Sequence, residues 1–166
     1  MKTFLTTLAL MGFALVAFAQ PAQQNIGANG ILLSEITIIG DRDLEFGIMT
    51  RGQDNVIEVP DMEAGMFIMS IDEVGEIILT FELPTHLTNG DGGQVPLTFT
   101  ETSAGYGFSN QTGQQATLFN PNSPTPLYFH NSQQDWNIYV GGIATPAMDS
   151  PMGEYSAEIT LTADYN

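Results

Sequence analysis

From Tyr155 to the end of the chain, apolar and polar positions alternate without a slip. Tyr155, Ala157, Ile159, Leu161, Ala163 and Tyr165 fall on one side, and Glu154, Ser156, Glu158, Thr160, Thr162 and Asp164 on the other. A repeat of two is the strand period, with one face buried and the other wet. At about 3.3 Å per residue the run predicts a strand roughly 36 Å long that closes the fold, packing Tyr155, Ile159, Leu161 and Tyr165 inward. Earlier stretches repeat the pattern. Residues 31–39 predict a first strand with Leu32, Ile36 and Ile38 on one face, and residues 44–48 a second. Residues 55–59 predict a short strand stopped by Pro60.

Residues 66–71 are apolar on both faces, and residues 76–83 place Ile77, Leu79, Phe81 and Leu83 inward. The intervening Asp72-Glu73-Val74-Gly75 predicts a turn joining two central strands. Asn89-Gly90-Asp91-Gly92-Gly93, before Val95, Leu97 and Phe99, predicts a hairpin tip, because Asn-Gly and Asp-Gly tolerate positive φ. Residues 101–126 are Gly-, Gln- and Asn-rich and end in a proline cluster, which reads as loop. Strand pattern resumes at 127–129 and 136–140, where Gly141-Gly142 marks a bulge or a close backbone approach. Breakers recur at intervals of about 8–12 residues, the spacing of an antiparallel sandwich or barrel. No repeat and no second domain interrupts it, so the expectation is one all-β domain over residues 31–166.

The first 19 residues fall outside that pattern. Lys2 precedes an apolar run from Phe4 to Phe18, and Ala17-Phe18-Ala19 supplies a small-x-small cleavage signal before Gln20. This is the form of a secretory signal peptide, cut between Ala19 and Gln20, with residues 20–30 as a polar lead-in. The run is short for a membrane span, and no cysteine follows it to carry a lipid. The expected product is exported, to the periplasm, cell surface or exterior, with no transmembrane span.

Composition sharpens the picture. The chain contains no cysteine, which excludes disulfides, zinc–thiolate sites and cysteine nucleophiles. Beyond Lys2, only Arg42 and Arg51 stand against 19 acidic residues, a formal −17 after cleavage. Such a surface disfavours nucleic acid, whose affinity rests on Lys and Arg contacts to phosphate. Net charge speaks first of solubility in salt; affinity for divalent cations or cationic partners is the alternative.

Candidate chemistry is sparse. Asp41, Asp43 and Glu45 share one face of an extended segment, as a glycosidase carboxylate pair would, but a solvated face opposite Leu44 and Phe46 explains them as well. Asn89 and Asp91 offer oxygens for calcium, although their spacing is not that of the twelve-residue calcium loop and turn chemistry accounts for them. His86 and His130 are far apart in sequence, and no Gly-x-Ser-x-Gly elbow accompanies them. Trp136, in phase with Ile138 and Val140, reads as core; with Tyr106, Tyr128 and Tyr139 it would otherwise form a sugar-stacking platform. The residues favour a non-enzymatic protein without a cofactor.

Leu44-Glu45-Phe46-Gly47, Tyr139-Val140-Gly141-Gly142, Gly153-Glu154-Tyr155, Ile159-Thr160-Leu161-Thr162 and Tyr165-Asn166 follow one another in that order. Across residues 31–166 the chain thereby resembles the exported bacterial domain family of unknown function numbered 4402. That family is similar to spore coat protein U and archaic chaperone–usher pilin subunits. The resemblance implies an immunoglobulin-like antiparallel β-sandwich at the cell surface or in the periplasm, assembling as a homo-oligomer or fibre with a periplasmic chaperone and usher. In pilin relatives a neighbour's N-terminal extension completes the sheet. Here the corresponding apolar residues are Ile26, Ile31, Leu32 and Leu33. The functional expectation is a structural or adhesive envelope protein assembling by strand addition, the alternative a secreted carbohydrate- or calcium-binding module.

Overall fold

The computed structural model describes residues 34–59, 61–108, 116–130 and 135–166. Ala19, Gln20, Ile26, Ile31, Leu32 and Leu33, which carry the expected cleavage site and strand-donating lead-in, lie outside the described residues. Among the described residues there are twelve strands and no helix, and every ladder is antiparallel. It follows that no described helix is long and apolar enough to cross a membrane.

Two sheets face each other. The larger runs β1 (Ile36–Arg42), β3 (Gly65–Ile71), β10 (Trp136–Val140), β7 (Ala104–Phe108) and β8 (Thr117–Phe119). The smaller runs β12 (Thr160–Tyr165), β4 (Gly75–Glu82) and β9 (Thr125–Phe129). Register aligns Ile36 with Ile71, Met69 with Trp136, and Ile138 with Tyr106, so one pleat face of the larger sheet is continuously apolar. It meets Ile77, Leu79, Phe129 and Leu161 of the smaller sheet in one core. The expected all-β antiparallel sandwich is what the structure shows.

The turn at Asp72–Val74 joins β3 to β4, which are central strands of different sheets. It is therefore a corner between layers. Two further runs stitch on a four-stranded sheet, β2 (Asn55–Ile57), β11 (Gly142–Ala144), β6 (Gln94–Thr98) and β5 (His86–Thr88). β4 leads into β5, and β10 into β11 across Gly141. A Cβ on Gly141 would collide with the Ile57 carbonyl oxygen, so this dipeptide marks a close backbone approach. Leu87, Val95, Leu97 and Ala144 form a second core here, with Phe46, Met49, Phe99 and Tyr155 packed against it.

Three expectations change. Residues 44–48 form no strand. Leu44 and Phe46 are half-buried between exposed neighbours, but Gly47 turns at φ +58° and no ladder forms. Alternation here records the partial burial of Leu44 and of Phe46, the latter against the second core, without sheet pairing, and Ile48 is left exposed. The closing ladder begins only at Thr160, making it six residues long; ahead of it only Ser156 bridges, to Thr88. Finally, β7 and β8 lie inside the stretch read as loop. In β7, Ala104, Tyr106 and Phe108 alternate inward, and Gly105 fits a crowded outer face, where a Cβ would meet Val59 at 2.9 Å. β9 also begins within the proline cluster; as the edge of its sheet it accommodates Pro126.

Candidate binding groove

The two places where the chain leaves its ladders border one open groove of about 910 Å³. At the first, the β1–β3 register shifts between Gly40 and Arg42, and the chain peels away through Leu44, Phe46 and Met49. At the second, residues 150–159 run past without joining a sheet until Thr160, except at Ser156. Leu87, Val95 and Leu97 of the second core, with Phe67 and Val140 of the larger sheet, supply an apolar lining. The volume lies at the upper end of ligand clefts, about 300–1,000 Å³.

Charge is arranged unusually around this lining. Arg42 and Arg51, the only cationic side chains beyond Lys2, both border the groove. Arg42 is half-buried and donates its Nε–H to the Ala64 carbonyl at 2.8 Å, which fixes the guanidinium plane. Arg51 is exposed. Asp43, Glu45, Glu154 and Glu158 line the same groove, yet no ion pair joins either arginine to a carboxylate among the described residues. Ser150 also lines it, buried, and its hydroxyl has no hydrogen-bond partner among the described residues.

The residues singled out from sequence fall in different places. Tyr155 and Ile159 line the groove, and the Tyr155 hydroxyl donates to the Pro151 carbonyl at 2.8 Å. Leu161 sits in the main core, with Tyr165 half-buried against it. Loss of hydration raises the Tyr165 phenol above its ordinary value. Its hydrogen bond to the Asp72 carboxylate and the Asp72 and Glu73 charges act the same way, while the Glu73 N–H it accepts works against them.

Asn89 and Asp91 are in the hairpin joining β5 and β6. Asn89 Oδ1 accepts the N–H groups of Asp91 at 3.2 Å and Gly93 at 2.6 Å, so that oxygen clasps the turn. Of the two, only Asp91 presents an oxygen free of such contacts, on an exposed side chain. His86 contacts the Thr85 hydroxyl within β5's end of the fold, whereas His130 stacks on Tyr128 beyond β9, its ring 4.7 Å away. Trp136 is 4 % exposed and ringed by Tyr106, Phe108 and Phe129, which places it in the core and not on a sugar platform.

Sequence reasoning did not bring Arg42 and Arg51 together. The available signal was their rarity and their flanking of residues 44–48, an apolar alternation that found no ladder. No family model matches the chain, and no curated protein matches it at a significant level.

Proposed function

We propose that this chain is an exported, non-enzymatic structural subunit of a bacterial envelope whose groove accepts an extended polypeptide segment from a neighbouring subunit. One observation carries the reading: residues 157–159 run beside an apolar-lined groove while outside any ladder. Unpaired strand-like backbone beside an apolar trough is the physical requirement for strand addition. The main chain supplies hydrogen bonds, and the trough receives alternate side chains. The resemblance of the sequence to the domain family numbered 4402 and the signal-peptide pattern of residues 1–19 support the same reading.

The test uses the chain from Gln20 and short fluorescent peptides that alternate valine with polar residues. Binding is read by anisotropy, and Glu158→Pro removes one backbone donor from the bordering stretch. The expected result is saturable peptide binding that the proline variant loses while its unfolding midpoint holds. Absence of binding by every alternating peptide, or binding indifferent to Glu158→Pro, overturns the reading.

A further inference from the structure

Resting on that reading, we infer that Arg42 and Arg51 select the occupant of the groove: a partner chain's extended segment bearing one or two carboxylates among apolar and neutral residues. In a chain where acids outnumber cations so heavily, a cation placed merely for neutralisation would be expected beside a carboxylate. Both arginines instead border the same groove, and neither pairs with a carboxylate among the described residues. Arg42 is prepared for the task. Its Nε–H is held by the Ala64 carbonyl, leaving the Nη edge of a fixed plane, the geometry that grips a carboxylate through two parallel hydrogen bonds.

The neighbouring acids narrow the choice further. Asp43, Glu45, Glu154 and Glu158 repel a polyanion along the same trough, so an acidic polysaccharide is a poorer fit than a peptide with isolated carboxylates in register with the guanidiniums. The unladdered backbone at 157–159 is also open to pairing with a partner that has its own N–H and C=O groups, which a peptide has at every residue. The chain's own lead-in does not match, because residues 20–30 contain no charged side chain. The occupant therefore comes from a different exported chain.

The experiment compares three labelled peptides on the chain from Gln20: an alternating valine peptide with two glutamates, its glutamine counterpart, and a copy of residues 20–30. A hydrogen bond to a charged group contributes about 1.5–3 kcal/mol, and about 1.4 kcal/mol is tenfold in affinity. The glutamate peptide is expected to bind about tenfold or more tightly than the other two, with a preference that salt weakens. Arg42→Gln and Arg51→Gln should each reduce that preference and together abolish it. A cooperative urea transition followed by emission of the single tryptophan, Trp136, checks that each variant is still folded. Equal binding of glutamate and glutamine peptides overturns selection by the arginines while strand acceptance stands. Binding of an oligogalacturonate, lost in the double variant, with no peptide binding, overturns the peptide assignment. Silence from every probe overturns this inference and the strand reading together.

Discussion

Phe129→Ala against Tyr128→Ala tests whether the two sheets share one core, because the residues are adjacent on β9 and point to opposite faces. Phe129 is fully buried, with its ring 4.7 Å from Trp136 and 5.5 Å from Tyr106, both edge-on. Truncating a buried phenylalanine costs about 3–5 kcal/mol, and edge-to-face pairs add roughly 0.5–1.5 kcal/mol beyond buried area. β9 is an edge strand that can relax inward, so about 4 kcal/mol is the working figure for Phe129. Tyr128 is 51 % exposed, and among the described residues its ring contact is the tilted one with His130, which predicts a cost of about 1 kcal/mol or less. The assay is urea unfolding followed by emission of the single tryptophan, Trp136, which is buried beside Phe129. At about 2–4 °C per kcal/mol for a chain this size, Phe129→Ala should also lower Tm by roughly 10 °C. A Phe129→Ala loss no larger than that of Tyr128→Ala would refute the facing-sheet core.

The other predictions use the same unfolding readout. Gly141→Ala should destabilise by about 1–3 kcal/mol, since its Cβ would collide with the Ile57 backbone oxygen, whereas Gly90→Ala, with nothing within 4 Å, should be near neutral; equal effects would contradict the close approach. Asn89→Ala should cost about 1–2 kcal/mol by leaving the Asp91 and Gly93 N–H groups without their acceptor, and Asn89→Asp should restore most of it; an aspartate as damaging as alanine would show the clasp is unimportant. Tyr165 holds its proton more tightly when folded than unfolded, so the stability it contributes is complete below its ordinary value near 10 and is lost as pH rises through the folded value. Tyr165→Phe should therefore lose less Tm than wild type between roughly pH 9 and pH 11, and parallel losses would remove this residue as the cause.

Period-two alternation carried most of the fold, and its failures have one physical origin. Alternation reports which side of a chain is buried, not whether a neighbouring strand is there to pair. At residues 136–140 both conditions hold, and the strand lies where the pattern puts it. At 44–48 and 155–159 Phe46 and Tyr155 pack against the second core while the backbone stays outside a ladder and Ile48 is left exposed, so the pattern alone overcounts strands. β7 fails in the opposite direction. Glycine at positions 105 and 107 empties its outer face, and a strand with a bare face looks like a loop to any reading based on side chains. Gly105 is required because Val59, Ala116 and Leu118 already occupy that space, a fact of tertiary packing that no local window contains.

The two overcounted stretches are also what make the groove. An apolar alternation that buries without pairing leaves backbone and trough together, and here 44–49 and 155–159 do so around the same floor of Leu87, Val95 and Leu97. Their convergence depends on β4 and β10 each passing onward into the four-stranded sheet, a topology invisible in residue spacing. The charges were more legible. Two arginines nine positions apart, in a chain otherwise acidic beyond Lys2, bracket residues 44–48, and the structure keeps both at the groove with no carboxylate partner among the described residues. Under the proposed reading, rarity of a charge type together with an alternation that finds no ladder marks the edge that meets the occupant. That reading makes a sharp demand: replacing exposed Arg51 by glutamine should leave stability within about 0.5 kcal/mol, whereas Arg42→Gln, which strips the Ala64 carbonyl of its donor, should cost about 1–3 kcal/mol, and each should weaken discrimination between acidic and neutral peptides.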